Sequence, residues 1–258
     1  MLLIFSLGAD TLFAQKMAAE DILAKHLDSI GSAQSRNSVK TRIIVSDTEF
    51  TRQKQNPIKG KFIIASSNEG AVFGINLEAI DYRLDKFSYD GKKIRVGYIQ
   101  PGIRSILGSF ILSYSTLLKD GLLGGTLSSS WALLDTAGRK SKLSYDGTEK
   151  LDGKETYVLE FQPKGGTDIG IKMYFDSKNF RHVRTEYNRV IAARMGGGVD
   201  GSARQAETRF RVVEDFSDFK KFGGLTLPSS YKIDYTVAGG ALTTNFLWKF
   251  KVTDASFN

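Results

Sequence analysis

The stretch that most constrains this chain runs from Ser105 to Leu134. It reads SILGSFILSYSTLLKDGLLGGTLSSSWALL, and its only charges are Lys119 and Asp120. The residues on either side alternate with a strand-like period of two and are dense in Lys, Arg, Asp and Glu. An apolar, glycine-punctuated insert in a strand-rich chain has to be buried against something apolar. A sheet that curves around the insert would bury it, and would make the chain a carrier or sensor of hydrophobic ligands. A membrane span is a poor alternative, because it puts Lys119 and Asp120 near the bilayer centre at a cost of several kcal/mol.

Inside the insert, Ile106, Leu107, Phe110, Ile111, Tyr114, Leu117 and Leu118 recur with helical spacing, and Lys119, Asp120 and Gly121 close that run. The opposite face carries Gly108, Ser109, Leu112, Ser113 and Thr116. Gly124-Gly125 breaks the path, and Leu127, Trp131 and Leu134 give a second short helical stripe. The expectation is an insert over 104–135 made of two short helices divided at Lys119–Gly125. Their apolar inner face and small-residue outer face suit a lid.

The rest of the chain supplies the sheet. A helix is predicted over Glu20–Ile30, with Ile22, Leu23, Leu27 and Ile30 as its stripe and His26 beside it. Strands are predicted over Val39–Arg52, Gly60–Ser67, Ala71–Leu77, Tyr82–Tyr89 and Lys93–Gln100, with Asp90-Gly91 as a hairpin turn. After the insert come Thr156–Gln162, Ile169–Phe175, Phe180–Arg194, Gln205–Val213, Leu225–Tyr235 and Leu242–Val252. Phe210 and Val212 should face inward, as should Tyr231, Ile233 and Tyr235, and Leu242, Phe246, Trp248 and Phe250. The glycine loop near Gly196 reads as a flexible hairpin tip, since no strand–loop–helix context or Lys-Ser/Thr accompanies it. The end at Asn258, just after a strand, leaves room for a missing short C-terminal element.

Composition narrows the chemistry. The 258 residues include no cysteine, which excludes disulfides, thiolate metal sites and a cysteine nucleophile. The net charge of +8 invites a nucleic-acid or anionic-membrane partner, but the basic residues are spread out, with no Lys/Arg run longer than two. The expectation is therefore no nucleic acid, with transient contact at a membrane surface left open. MLLIFSLGADTLFAQ resembles the apolar core and cleavage region of an export signal, so residues 1–14 are read as a signal-peptide remnant ahead of one domain over 15–258. Fourteen residues cannot span a bilayer, which takes about 20.

Catalysis finds little support. No G-x-S-x-G elbow occurs, and only His26 and His182 could act as an imidazole base. His26 reads as a boundary residue packed on a sheet, and His182, between Arg181 and Val183, as a surface-strand histidine. Glu214, Asp215 and Asp218 form the densest acidic cluster, read as a solvated strand end or weak cation site. The expectation is no catalytic residue, no metal and no cofactor.

Several phrases together carry a resemblance. EDILAKHLDSIGS follows the signal-like segment, and the hairpin SYDGKKIRVGYI precedes the insert. YDGTEKLDGKETYVLEFQPKGGTDIGIKMYFDSKNFRHVRTEY and FSDFKKFGGLTLPSSYKI follow it. This succession resembles the outer-membrane lipoprotein-sorting (LolA/LolB-like) superfamily over most of the chain. The resemblance implies an α+β, β-dominated fold: a strongly curved antiparallel sheet of about eleven strands, an unclosed barrel with helices in its concave face. It also implies a non-catalytic, monomeric periplasmic carrier of lipid or lipoprotein acyl chains. The alternative is an envelope sensor or protein-interaction module whose core is filled by its own side chains. The cavity and lid would be lined by Ile106, Leu107, Phe110, Ile111, Tyr114, Leu117, Leu118, Leu127, Trp131, Phe210, Tyr231, Phe246 and Trp248. The lack of cysteine speaks against a membrane-anchored acceptor.

Overall fold

A computed structural model describes residues 17–53, 55–193 and 207–258. The signal-like segment and the glycine loop near Gly196 lie outside the described residues. The chain enters through helices α1 (Ala19–Ile30) and α2 (Ala33–Ser38). Five strands follow: β1 (Thr41–Arg52), β2 (Ile58–Ser67), β3 (Ala71–Leu77), β4 (Leu84–Tyr89) and β5 (Ile94–Val96). The insert then holds α3 (Ile106–Ser113) and α4 (Thr116–Lys119), and α5 (Thr136–Arg139) follows it. Seven strands complete the sheet: β6 (Lys142–Leu151), β7 (Lys154–Gln162), β8 (Gly170–Asp176), β9 (His182–Ile191), β10 (Thr208–Phe222), β11 (Leu225–Gly239) and β12 (Leu242–Phe257).

All twelve strands belong to one sheet, in the order β5-β4-β3-β2-β1-β12-β11-β10-β9-β8-β7-β6. Every named pairing is antiparallel, and β1 joins the two halves by pairing with both β2 and β12. The edges, β5 and β6, are not paired to each other, and the insert is the chain that connects them. The strand missing from the sequence reading is β6, whose residues are half-buried or exposed throughout and so carry no apolar face. Strand β10 also runs on to Phe222, well past Val213, the end expected from its alternation.

The sheet curls. Helix α3 packs on β4 and β5, yet its Phe110 ring lies 5.1 Å from Tyr235 of β11 and 6.4 Å from Phe210 of β10. From β4 to β11 is five steps in the strand order, about 24 Å if the sheet were flat. One helix can touch both only if the sheet wraps around it. Aromatic rings line the inner face from strand to strand: Phe87, Phe73, Phe62, Phe250, Tyr231, Phe216 and His182, with neighbouring centroids 4.1–6.5 Å apart. Strand β1 places no ring between Phe62 and Phe250; its one inward ring, Phe50, packs instead on Trp248 at 4.9 Å. Its inward Ser46 and Thr48 are small, and Phe62 of β2 meets Phe250 of β12 across them at 4.1 Å.

The first half of the insert is helical, as its spacing predicts. Ser105 caps α3, its Oγ accepting from the Gly108 amide at 2.7 Å. The second half is not. Instead of a second helix, Gly121–Leu133 is an irregular segment, with single 3₁₀ turns at Gly125–Leu127 and Ala132–Leu134, and each of its residues is buried. It is a plug inside the curl and not a lid over it.

Gly121 shows how closely this plug folds back on itself. Its φ is +64°, and a Cβ there would stand 1.8 Å from the Ser130 carbonyl oxygen. Gly102 has a similar φ of +76°, and a Cβ at that position would meet nothing within 4 Å. Gly102→Ala should therefore cost only the left-handed backbone strain, about 1–2 kcal/mol. Gly121→Ala should cost at least twice that, because backbone must move. Thermal unfolding measures the difference, at about 2–4 °C per kcal/mol for a chain of this size. Equal losses would mean that the plug gives way freely.

Candidate functional site

The candidate site is the interior of the curl. Of the residues expected to line it, Leu107, Phe110, Ile111, Leu117, Leu118, Leu127, Trp131, Tyr231 and Trp248 are buried there. Tyr114, Phe210 and Phe246 are half-buried against the same core, around Phe110 and Tyr235. Ile106 lies apart, 37% exposed on α3, as is Leu112 at 42%. Leu242, expected to face in with Phe246, is 78% exposed at the start of β12. The described interior is thus occupied by the chain's own side chains, Trp131 at its centre.

Irregular backbone in a core leaves amides and carbonyls that no ladder satisfies, and each costs free energy unless a side chain reaches it. The sheet sends polar groups inward to do so. Glu214 of β10, fully buried, accepts from the Gly124 amide at 2.8 Å, from the Tyr187 hydroxyl at 2.7 Å and from the Tyr231 hydroxyl. Tyr187 also lies 3.1 Å from the Leu122 carbonyl. Arg42 of β1, 2% exposed, donates to the Thr126 carbonyl. Ser66 of β2 accepts from the Ser129 amide at 2.9 Å, and Arg139 donates to the Ser130 carbonyl at 2.8 Å. Together these latches hold the plug from both halves of the sheet. Burial pushes the Glu214 carboxyl above the usual carboxylate range and drives the Tyr187 and Tyr231 hydroxyls well above theirs.

Glu214 corrects the reading of a solvated acidic cluster. Asp215, the next residue, faces the opposite side, paired with Arg184 at 2.6 Å and Lys232 at 2.7 Å. Continuing the β10 alternation from Phe210 and Val212 would have placed Glu214 inside. Among the described residues, no group of three or more metal-ligating side chains forms. Arg42 is hidden in the sequence because the inward face of β1 mixes Ile44 and Phe50 with Arg42, Ser46 and Thr48, while Ile43 and Val45 face outward, so the apolar residues mark neither face.

His182 is corrected too: it is 1% exposed, not on the surface. A register shift between Tyr174 and Phe175 on the neighbouring strand disturbs the alternation there. The two histidine rings lie 6.2 Å apart, with Trp131 at 5.1 Å from His26 and 4.9 Å from His182. His26 Nδ1 donates to the Phe180 carbonyl at 2.8 Å, and His182 Nε2 bonds Thr185 Oγ1 at 2.8 Å. Among the described residues, neither ring is hydrogen-bonded to a carboxylate or a serine hydroxyl. An open volume of about 860 Å³ lies elsewhere. It is a groove lined by outward charges such as Glu49, Lys249, Lys232 and Asp215 on the opposite face of the sheet.

No protein-family model and no curated protein matches the chain. Solved structures do. A LolA superfamily protein from Nitrosomonas europaea is 17% identical, with 94% of each chain covered and a TM-score of 0.51. A DUF1329 family protein from Desulfovibrio piger is 9% identical over 93% of each chain, at a TM-score of 0.42. An outer membrane lipoprotein-sorting protein domain from Vibrio parahaemolyticus is 12% identical, over 92% of this chain and 93% of its own, at 0.39. The first of these carries the comparison: the chain has a LolA-like fold, and the resemblance seen in the sequence holds at that level. Among the described residues, no helix is long and apolar enough to cross a membrane.

The histidines give the interior a pH dependence of definite sign. Burial lowers the His26 pKa from 6.5 to about 4, and His182 falls well below its ordinary value for the same reason. The unfolded chain then binds protons that the folded chain refuses, so stability falls as pH drops through 6.5 and levels off below the folded pKa. For His26 the loss is about 3 kcal/mol by pH 4. Glu214 and Asp85 are shifted upward by burial and act in the opposite direction. His26→Asn keeps a donor for the Phe180 carbonyl and isolates the effect. Urea unfolding at pH 7 and pH 4.5 should show wild type losing more than the variant; parallel losses would contradict the assignment.

Proposed function

We propose that this chain is a non-catalytic carrier of hydrophobic ligands, taking up lipid or lipoprotein acyl chains in the periplasm of a bacterial envelope. On this reading residues 1–14 are the remnant of an export signal and 15–258 form one ligand-binding domain, working as a monomer. The LolA-like fold supports the reading, and one observation carries it. The concave face is filled by Gly121–Leu133, which belongs to neither a strand ladder nor a long helix and is fixed by side-chain latches. Such a segment can leave without breaking a pairing in the sheet. Its departure would bare Leu107, Phe110, Ile111, Tyr114, Leu117 and Leu118 together with Phe210, Tyr231, Phe246 and Trp248. Leu127 and Trp131 would move with the plug and close over an acyl chain, with about 0.8 kcal/mol gained per buried methylene. Ile106, exposed on α3, would meet the ligand only at its margin.

A second reading, an envelope sensor or interaction module, draws on the same interior: Leu122, Leu127 and Trp131 leave almost nothing of themselves exposed. The two differ in whether the plug moves. The cysteine-free chain allows a direct test. The Ser129 amide is 2.9 Å from Ser66 Oγ, so a cysteine pair at positions 66 and 129 is the natural choice for tying the plug to β2. In Ser66→Cys/Ser129→Cys, a carrier takes up a fluorescent fatty acid when reduced and not when oxidised, and native mass spectrometry finds lipid co-purifying with wild type. Lipid-free preparations and no uptake by the reduced protein would leave the sensor reading.

A further inference from the structure

We propose that the polar nest beneath the plug is a receptor for the oxyanion head of an amphiphilic ligand, with Arg42 as its binding group. The inference rests on the carrier reading and names the class of ligand: an acyl chain ending in a carboxylate or a phosphate.

Arg42 is a cation in the core without a counter-ion. Among the described residues no carboxylate lies within ion-pair distance of it, and its partner is a neutral carbonyl, that of Thr126. Its Nε has no hydrogen-bond partner. Burial lowers its pKa to about 10, so the guanidinium remains charged at neutral pH. An unpaired buried charge is costly, and an oxyanion would neutralise it through charge-assisted bonds stronger than the one to Thr126.

The surroundings are built from hydroxyls. Ser66 stands directly opposite Arg42 in the β1–β2 register and holds the Ser129 amide. Ser129 Oγ is buried and also unpartnered. Ser128 and Ser130, both buried, hydrogen-bond each other at 2.8 Å, and Arg139 grips the same turn through the Ser130 carbonyl while its own Nε is idle. Of the acids around the plug, Glu214 is engaged by the Gly124 amide and two tyrosine hydroxyls, and Asp120 interacts with Arg139. Arg42 and the Ser129 hydroxyl are left as the donors of the nest without an acidic partner among the described residues. On either side of the serines stand Leu127 and Trp131, both buried in the apolar core. An oxyanion there would have apolar surface beside it for a tail, which a free inorganic anion could not use.

The geometry also gives an order of events. The anion would displace the Thr126 carbonyl from Arg42, so capture of the head removes one of the latches holding the plug.

Oleate, oleoyl lysophosphatidate and oleyl alcohol share a tail and differ in the head. Their displacement of a fluorescent fatty acid from the full chain should show at least one anionic ligand binding tenfold or more tightly than the alcohol. The two acids tell carboxylate from phosphate. Arg42→Met should reduce the preference below about threefold, and Arg42→Lys should restore part of it. Ser129→Ala removes an atom that has no partner in the unliganded chain, so it should leave stability unchanged and still weaken the preference; it serves if Arg42→Met does not fold. Equal binding of acids and alcohol by wild type would overturn the receptor and leave the carrier standing. So would a preference that survives both Arg42→Met and Ser129→Ala. Inorganic phosphate binding as tightly as the lysophosphatidate would exclude a lipid head as the ligand. No binding of any amphiphile would remove the carrier reading itself.

Discussion

The structure turns on one constraint: thirteen consecutive buried residues, Gly121 to Leu133, whose backbone joins no strand and is helical only in single 3₁₀ turns. Water cannot satisfy their amides and carbonyls; the segment's own turns bond some of them, and the sheet must reach others. This explains an otherwise odd interior, in which Arg42, Ser66, Tyr187, Glu214 and Tyr231 point away from solvent. Four of the five reach a backbone group of the plug, and Tyr231 supports the Glu214 carboxyl that does. They come from β1, β2, β9, β10 and β11, so the plug holds together strands that lie far apart in the sheet order.

Curvature comes from the same strands. A sheet wrapped this tightly brings inward side chains together, and the strand at the bend needs small ones. Strand β1 meets that need with Ser46 and Thr48, over which Phe62 and Phe250 close. The Ser46 and Thr48 hydroxyls are left without partners beneath those rings. The outward side of the bend has room, and Ile43 and Ile63 occupy it while remaining 45% and 40% exposed. The small polar pair in the middle of β1, between inward Ile44 and Phe50, thus reflects steric demand where the rings close overriding hydrophobic preference.

The elements legible in the sequence are those whose pattern is local. The strands with clean alternation, the Asp90-Gly91 turn, α1 and the first half of the insert all follow from spacing alone. Strand β6 does not, because a half-buried and exposed edge strand needs no apolar face. Leu127, Trp131 and Leu134 keep helical spacing without forming a helix: burial on every side removes the need for a periodic face, and the latches replace the helix's own hydrogen bonds. His182 is hidden by a register irregularity that no composition reveals, and Glu214 by lying just beyond Val213, where the expected β10 stops. Buried Arg42 and Glu214 contradict the ordinary rule for their residue types, so residue type alone hides both, and only strand alternation carried past Val213 points to Glu214.

Those two charges also bear on why the plug is held by polar groups at all. Apolar side chains of similar size would fill the interior at least as stably, since a buried ion seldom recovers its desolvation cost. A hydrogen bond has a property that apolar packing lacks: its partner can be exchanged for another of the same kind without leaving a void. Arg42 can pass from a carbonyl to an oxyanion, and the Tyr187 and Tyr231 hydroxyls can remain on Glu214 when Gly124 leaves. Strand pairing across β1, β12, β11 and β10 is untouched by such exchanges, because no backbone group of the plug belongs to the ladder. The sheet is therefore the permanent part of the molecule, and the plug is the part whose bonds are of a kind that a ligand can take over.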